Sequence, residues 1–92
     1  MDYKEVGVLA VDVHYDYERA MDKYNEMLAE SKDLSKRINK VNATKSKQEY
    51  EKLCEQYREI AAGIRANESY RQSLFVKLNA KIKEMLKNAN GL

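Results

Sequence analysis

The fold is decided by the stretch Tyr17-Glu18-Arg19-Ala20-Met21-Asp22-Lys23-Tyr24-Asn25-Glu26-Met27-Leu28-Ala29-Glu30-Ser31-Lys32-Asp33-Leu34. In it Tyr17, Ala20, Tyr24, Met27, Ser31 and Leu34 recur at alternating spacings of three and four. That alternation averages 3.5 residues, the period at which one stripe of a helix keeps facing a partner helix. The spacing continues backwards through Val13, Ala10, Val6 and Tyr3, and forwards to Ile38 and Val41. Asp2 with Glu5 reads as a capping box, the Asp carboxylate accepting from the open amides of the first turn.

Asn42-Ala43-Thr44-Lys45 then interrupts the pattern, and Ser46 with Glu49 offers a second capping box. From there the same spacing resumes at Tyr50, Leu53, Tyr57, Ile60, Ile64, Asn67, Arg71, Leu74, Leu78, Lys81 and Met85, with Gly91 as a stop. The expectation is one domain over residues 1–92: helix 1 over about 3–41, a turn at 42–46 and helix 2 over about 47–89. So short a turn forces the helices antiparallel. Pairing positions whose numbers add to about 91 sets Ile38 against Leu53, Leu34 against Tyr57, Met27 against Ile64 and Val13 against Leu78. The fold class is therefore all-α, a long antiparallel, coiled-coil-like helical hairpin.

Composition agrees. The 92 residues contain no proline and three glycines, Gly7, Gly63 and Gly91, so little interrupts a helix. Two segments pull the other way. Val6-Gly7-Val8-Leu9-Ala10-Val11-Asp12-Val13, with four valines and a glycine, suits a strand by propensity. Asn67 and Arg71 place polar groups on the seam just after Gly63, so a break of helix 2 near Gly63-Asn67 is the alternative to a continuous helix.

A two-helix hairpin buries only an inner stripe, and small folds need a further source of stability. The single cysteine, Cys54, forms no internal disulfide. Instead the apolar stripe widens: Met21 and Leu28 on helix 1, and Cys54, Ala61, Phe75 and Ile82 on helix 2, sit beside the seam. A three-in-seven stripe is that of a helix with more than one neighbour. Met21, Leu28, Ala61, Phe75 and Ile82 are thus a candidate oligomer face, leading to a four-helix or larger bundle. Val8, Val11 and Tyr15 fall on the opposite side of helix 1, a candidate patch for a protein partner.

Net charge is +2, too small to imply a polyanion partner, but it is unevenly spread. Residues 1–30 hold eight acids and three bases, whereas residues 71–92 hold one acid and five bases, so the two ends attract in a hairpin. Like charges recur every four residues at Asp22, Glu26 and Glu30, at Lys32, Lys36 and Lys40, and at Glu51, Glu55 and Glu59. These rows read as solvated faces or as electrostatic labels for a complementary surface. Lys36, Arg37, Lys40, Lys45 and Lys47 crowd the hairpin tip. Cations are favoured at a helix C-terminus in any case, and the same cluster could hold phosphates.

Catalytic chemistry has little to work with. His14, in Asp12-Val13-His14-Tyr15-Asp16, would share a face with both carboxylates, as a metal site needs, only on a strand. Cys54 lies among apolar neighbours and reads as packing. No Gly-rich phosphate loop exists, and a hairpin encloses no water-excluding site. Neither an enzyme, a metal nor a cofactor is expected. Five of the seven tyrosines, Tyr3, Tyr17, Tyr24, Tyr50 and Tyr57, lie on the seam as core. Tyr24, Asn67 and Arg71 are where a small ligand such as a nucleotide would be sought.

No run approaches the roughly 20 apolar residues of a membrane span, so no membrane partner is expected. The opening lacks the basic region of a secretory signal, and a cytoplasmic location is the expectation. The Asn42 and Asn67 glycosylation sequons are then chance matches. The primary functional reading is a non-catalytic protein-binding helical module, an adaptor, assembly chaperone or small inhibitor, acting as a homo-oligomer. The alternative is a nucleic-acid or nucleotide binder using the basic tip or an inter-subunit Arg/Tyr pocket, such as a phage-type inhibitor or ligand sponge.

Overall fold

The computed structural model describes residues 3–41 and 46–90, the side chain of residue 90 excepted. Of these, all but Val41 and Ser46 are helical: α1 is Tyr3–Lys40 and α2 is Lys47–Asn90. The chain is an all-α helical hairpin with no strand among the described residues. The Asp2 cap, the turn at Asn42-Ala43-Thr44-Lys45 and the Gly91 stop lie outside the described residues.

Residues 6–13 are helical, so the four valines follow the heptad and not their strand propensity. Val13 is buried and Val6 and Ala10 are half-buried, so the burial of one stripe outweighs the few tenths of a kcal/mol that each β-branched residue costs a helix. The break considered near Gly63-Asn67 does not occur: α2 runs through both residues. At its start, Tyr50 N–H donates to the Ser46 carbonyl at 3.0 Å and Ser46 Oγ donates to Glu49 Oε2 at 3.3 Å, which marks Ser46 as the cap.

The hairpin packs as two compact units, one formed by the described parts of residues 1–21 and 68–92, the other by residues 22–67. In the first unit the buried residues are Val13, Ala20 and Leu74. Here the Tyr17 and Phe75 rings meet at 5.2 Å between centroids, tilted 60°, and Arg71 Nη1 donates to Met21 Sδ at 3.2 Å. In the second unit Leu34 and Leu53 are buried, and a methyl placed on Gly63 would lie 3.1 Å from the Met27 sulfur. Within each unit these contacts join residues whose numbers add to 90 or 92, which is the register expected from the seam.

Two seam residues depart from expectation. Tyr3 is 78% exposed, because the same register sets it opposite Asn88, a polar exposed residue that offers a ring nothing to pack on. Tyr57 is 38% exposed, so only part of its ring is covered at the seam. Arg71 and Lys81, though charged, are half-buried on the seam. The aliphatic stem of Lys81 covers the stripe while its head reaches an acid of its own helix, Lys81 Nζ lying 3.8 Å from Glu84 Oε2.

Candidate functional site

Val8, Val11 and Tyr15 lie on α1 at spacings of three and four, opposite the buried Val13 and half-buried Val6, Ala10 and Tyr17. Helical geometry alone therefore drives them outward, and they are 63%, 54% and 60% exposed. Lys4, Gly7 and Asp12 join Val8 and Val11 in lining one open depression on this face. A second, adjoining depression is lined by Lys4, Glu5, Val8, Leu9, Asp12 and Lys81, so the aliphatic stem of an α2 lysine extends the apolar surface. Sequence reasoning found the three apolar residues but not their charged flanks. The signal was present, since Lys4, Val8 and Asp12 form one ridge at four-residue spacing and Gly7, Val11 and Tyr15 form the next.

The residues expected as an oligomer face divide between the units. In the first, Met21 and Ile82 are half-buried and Phe75 is 47% exposed despite its contact with Tyr17. In the second, Leu28 and Ala61 are half-buried, as is Cys54. Each therefore has one side on the hairpin and one side on water. Val76, Leu86 and Tyr70 are further exposed apolar residues on α2, outside the heptad positions that drew attention in the sequence.

The residues expected to hold a small ligand, Tyr24, Asn67 and Arg71, are divided between the units. Tyr24 and Asn67, in residues 22–67, are half-buried and each is engaged by other groups. Arg71, in the first unit, directs its guanidinium to the Met21 sulfur. Arg71 is thus a packing and hydrogen-bonding residue of the seam.

At the basic end, Lys36, Arg37, Lys40 and Lys47 are exposed, and Lys45 lies outside the described residues. Arg37 Nε sits 3.4 Å from Asp33 Oδ2, so one of these cations is already directed to an acid on its own helix. Along the like-charge rows, Glu51, Glu55 and Glu59 line a shallow depression with Arg58 and Ala62. Lys23 reaches Glu26 at 3.9 Å, and Arg19 pairs with Asp16. Each of these pairs joins residues three or four apart on one exposed helical face, worth only about 0.3–0.5 kcal/mol.

His14 follows the same pattern: its Nε2 lies 3.1 Å from Glu18 Oε1, one turn along the helix, and its ring is 6.2 Å from that of Tyr15. Because residues 12–16 are helical, Asp12 and Asp16 do not share a face with His14 as a strand would require. Among the described residues no group of three His, Cys, Asp or Glu side chains could hold a metal ion. No described helix is long and apolar enough to cross a membrane. Compared with protein-family models, curated proteins and solved structures, the chain matches none.

Proposed function

We propose that this chain is a non-catalytic protein-binding helical module, an adaptor, assembly chaperone or small inhibitor, that works as an oligomer in the cytoplasm. The observation that carries this reading is the outer face of α1, where Val8, Val11 and Tyr15 stand more than half exposed in one row. Burying a valine or an aromatic side chain contributes about 1.5–3 kcal/mol. A chain that leaves three such groups together in water, while only Val13, Ala20, Leu34, Leu53 and Leu74 are buried among its described residues, gains most by covering them with another protein. The half-buried Met21, Phe75 and Ile82, and separately Leu28 and Ala61, supply further surface for assembly. A hairpin scaffold does not select among adaptor, chaperone and inhibitor.

The test is to measure solution mass and helicity for the chain and for Val8→Asp and Val11→Asp. The expected outcome is a lower mass, or loss of a bound protein, with helicity unchanged, because both residues point away from the hairpin core. A monomer that co-purifies with nothing, and whose behaviour neither substitution alters, refutes the reading.

A second reading, nucleic-acid contact, rests on the exposure of Lys36, Lys40 and Lys47 near one end of residues 22–67. Its signature is an affinity that falls steeply with salt and weakens when these lysines are replaced. Salt-independent binding to a protein excludes it.

A further inference from the structure

The outer face of α1 is not only apolar; it is charged oppositely at its two ends. Lys4 stands before Val8 and Val11, and Asp12 and Tyr15 stand at the far end, all on one exposed surface. Such a stripe is complementary to itself when reversed. We propose that this face pairs with the same face of a second copy of the chain, the two α1 segments crossing antiparallel about a two-fold axis between Val8 and Val11. This rests on the protein-binding reading above and names the partner of its principal patch.

In that arrangement Val8 of one copy packs on the second copy's Val11, and the reverse, as an isologous contact requires. The Lys4 stem lies over the second copy's Tyr15 ring, where an ammonium is attracted to the ring face. The same ammonium reaches the second copy's Asp12 carboxylate. A parallel pairing would set Lys4 on Lys4 and Asp12 on Asp12, like charges that repel at such spacing. The antiparallel form is favoured for that reason. Gly7 adds to the fit: apart from its own helical turn, a methyl there would meet nothing within 4 Å, so its bare backbone lets a second helix come close.

Net charge does not oppose the pairing. The segments 1–21 and 68–92 together hold seven acids and seven bases, so two copies of this unit approach without a net repulsion. The face is only a few side chains long, well below the roughly 1,200 Å² of a stable interface. The dimer is therefore expected to be weak and concentration-dependent.

Charge reversal tests both the partner and the orientation. Sedimentation equilibrium across about 5–500 µM is expected to show reversible dimerisation of the full chain, with Lys4→Asp alone and Asp12→Lys alone each raising Kd roughly fivefold or more. The double variant, Lys4→Asp with Asp12→Lys, restores opposite charges and is expected to return Kd to within about twofold of the starting value, with helicity by circular dichroism constant throughout. Failure of the double variant to recover overturns the proposal. An oligomer unaffected by either single substitution and by Val11→Asp also overturns it, by placing assembly on another face, yet leaves the protein-binding reading in force. A monomer at every concentration overturns it as well; that reading then stands or falls on whether Val8→Asp releases a bound partner.

Discussion

Gly7 and Gly63 are both helical, yet their surroundings set different consequences for the same substitution. A glycine inside a helix costs roughly 0.5–1 kcal/mol relative to alanine, chiefly through the freedom it retains when unfolded. Gly7→Ala meets only open space, so the isolated hairpin is expected to gain about that amount. Gly63→Ala brings a methyl to 3.1 Å from the Met27 sulfur, which has to move by a few tenths of an ångström. Its gain is expected to be smaller, close to zero. Urea titration of the two variants, measured at a concentration where the chain is monomeric, checks the order; a larger gain at Gly63 contradicts it. Core residues behave differently. Leu34 is 5% exposed and Val76 is 68% exposed. Leu34→Ala is expected to lower stability by about 2–3 kcal/mol, near the low end for buried leucines because a thin core lets water and neighbours close the cavity. Val76→Ala is expected to stay within about 0.5 kcal/mol on the same titration.

At the scale of the element, α2 passes through Gly63 and Asn67 because its stripe is buried before and after them, at Leu53 and at Leu74. Once a helix is nucleated, each further residue adds one hydrogen bond, so a single glycine costs less than ending and restarting the helix. The start of α2 is more sensitive. Ser46 precedes the first turn, its Oγ on Glu49 and its carbonyl on Tyr50 N–H. Ser46→Ala is expected to cost about 0.5–1 kcal/mol, read as a lower thermal midpoint, whereas Ser46→Asp is expected to retain most of the stability. Equal midpoints for Ala and Asp would remove Ser46 from the cap. The boundary between strand and helix at residues 6–13 was settled by register as well: helix places Val6, Ala10 and Val13 on one buried or half-buried stripe, whereas a strand would have split them between two faces.

At the scale of the whole molecule, the buried apolar residues are spread thinly, with Val13, Ala20 and Leu74 in one unit and Leu34 and Leu53 in the other. Under the proposed self-association, pairing of copies adds to apparent stability by mass action. The thermal midpoint of the chain is therefore expected to rise by a few degrees over a hundredfold increase in protein concentration, as seen by circular dichroism or calorimetry. Val11→Asp is expected to flatten that dependence while leaving the midpoint at the lowest concentration unchanged. A midpoint independent of concentration in the parent chain would mean that the hairpin stands alone.

By itself the sequence determined the two helices, their seam and their mutual register, because a spacing of three and four is compatible with one kind of structure and fixes which side chains face inward. It also marked Val8, Val11 and Tyr15 as outward, since that follows from the same periodicity. It misjudged Tyr3, whose burial depended on what stood opposite, and it did not foresee the contact of Phe75 with Tyr17, which depends on how one helix sits beside the other. It could not assign Arg71 to the Met21 sulfur, nor bring Lys81 of α2 to the rim of one depression with Val8. Periodicity encodes direction around a single helix. What a side chain meets once it points there is a property of two surfaces together, and only the folded chain supplies the second one.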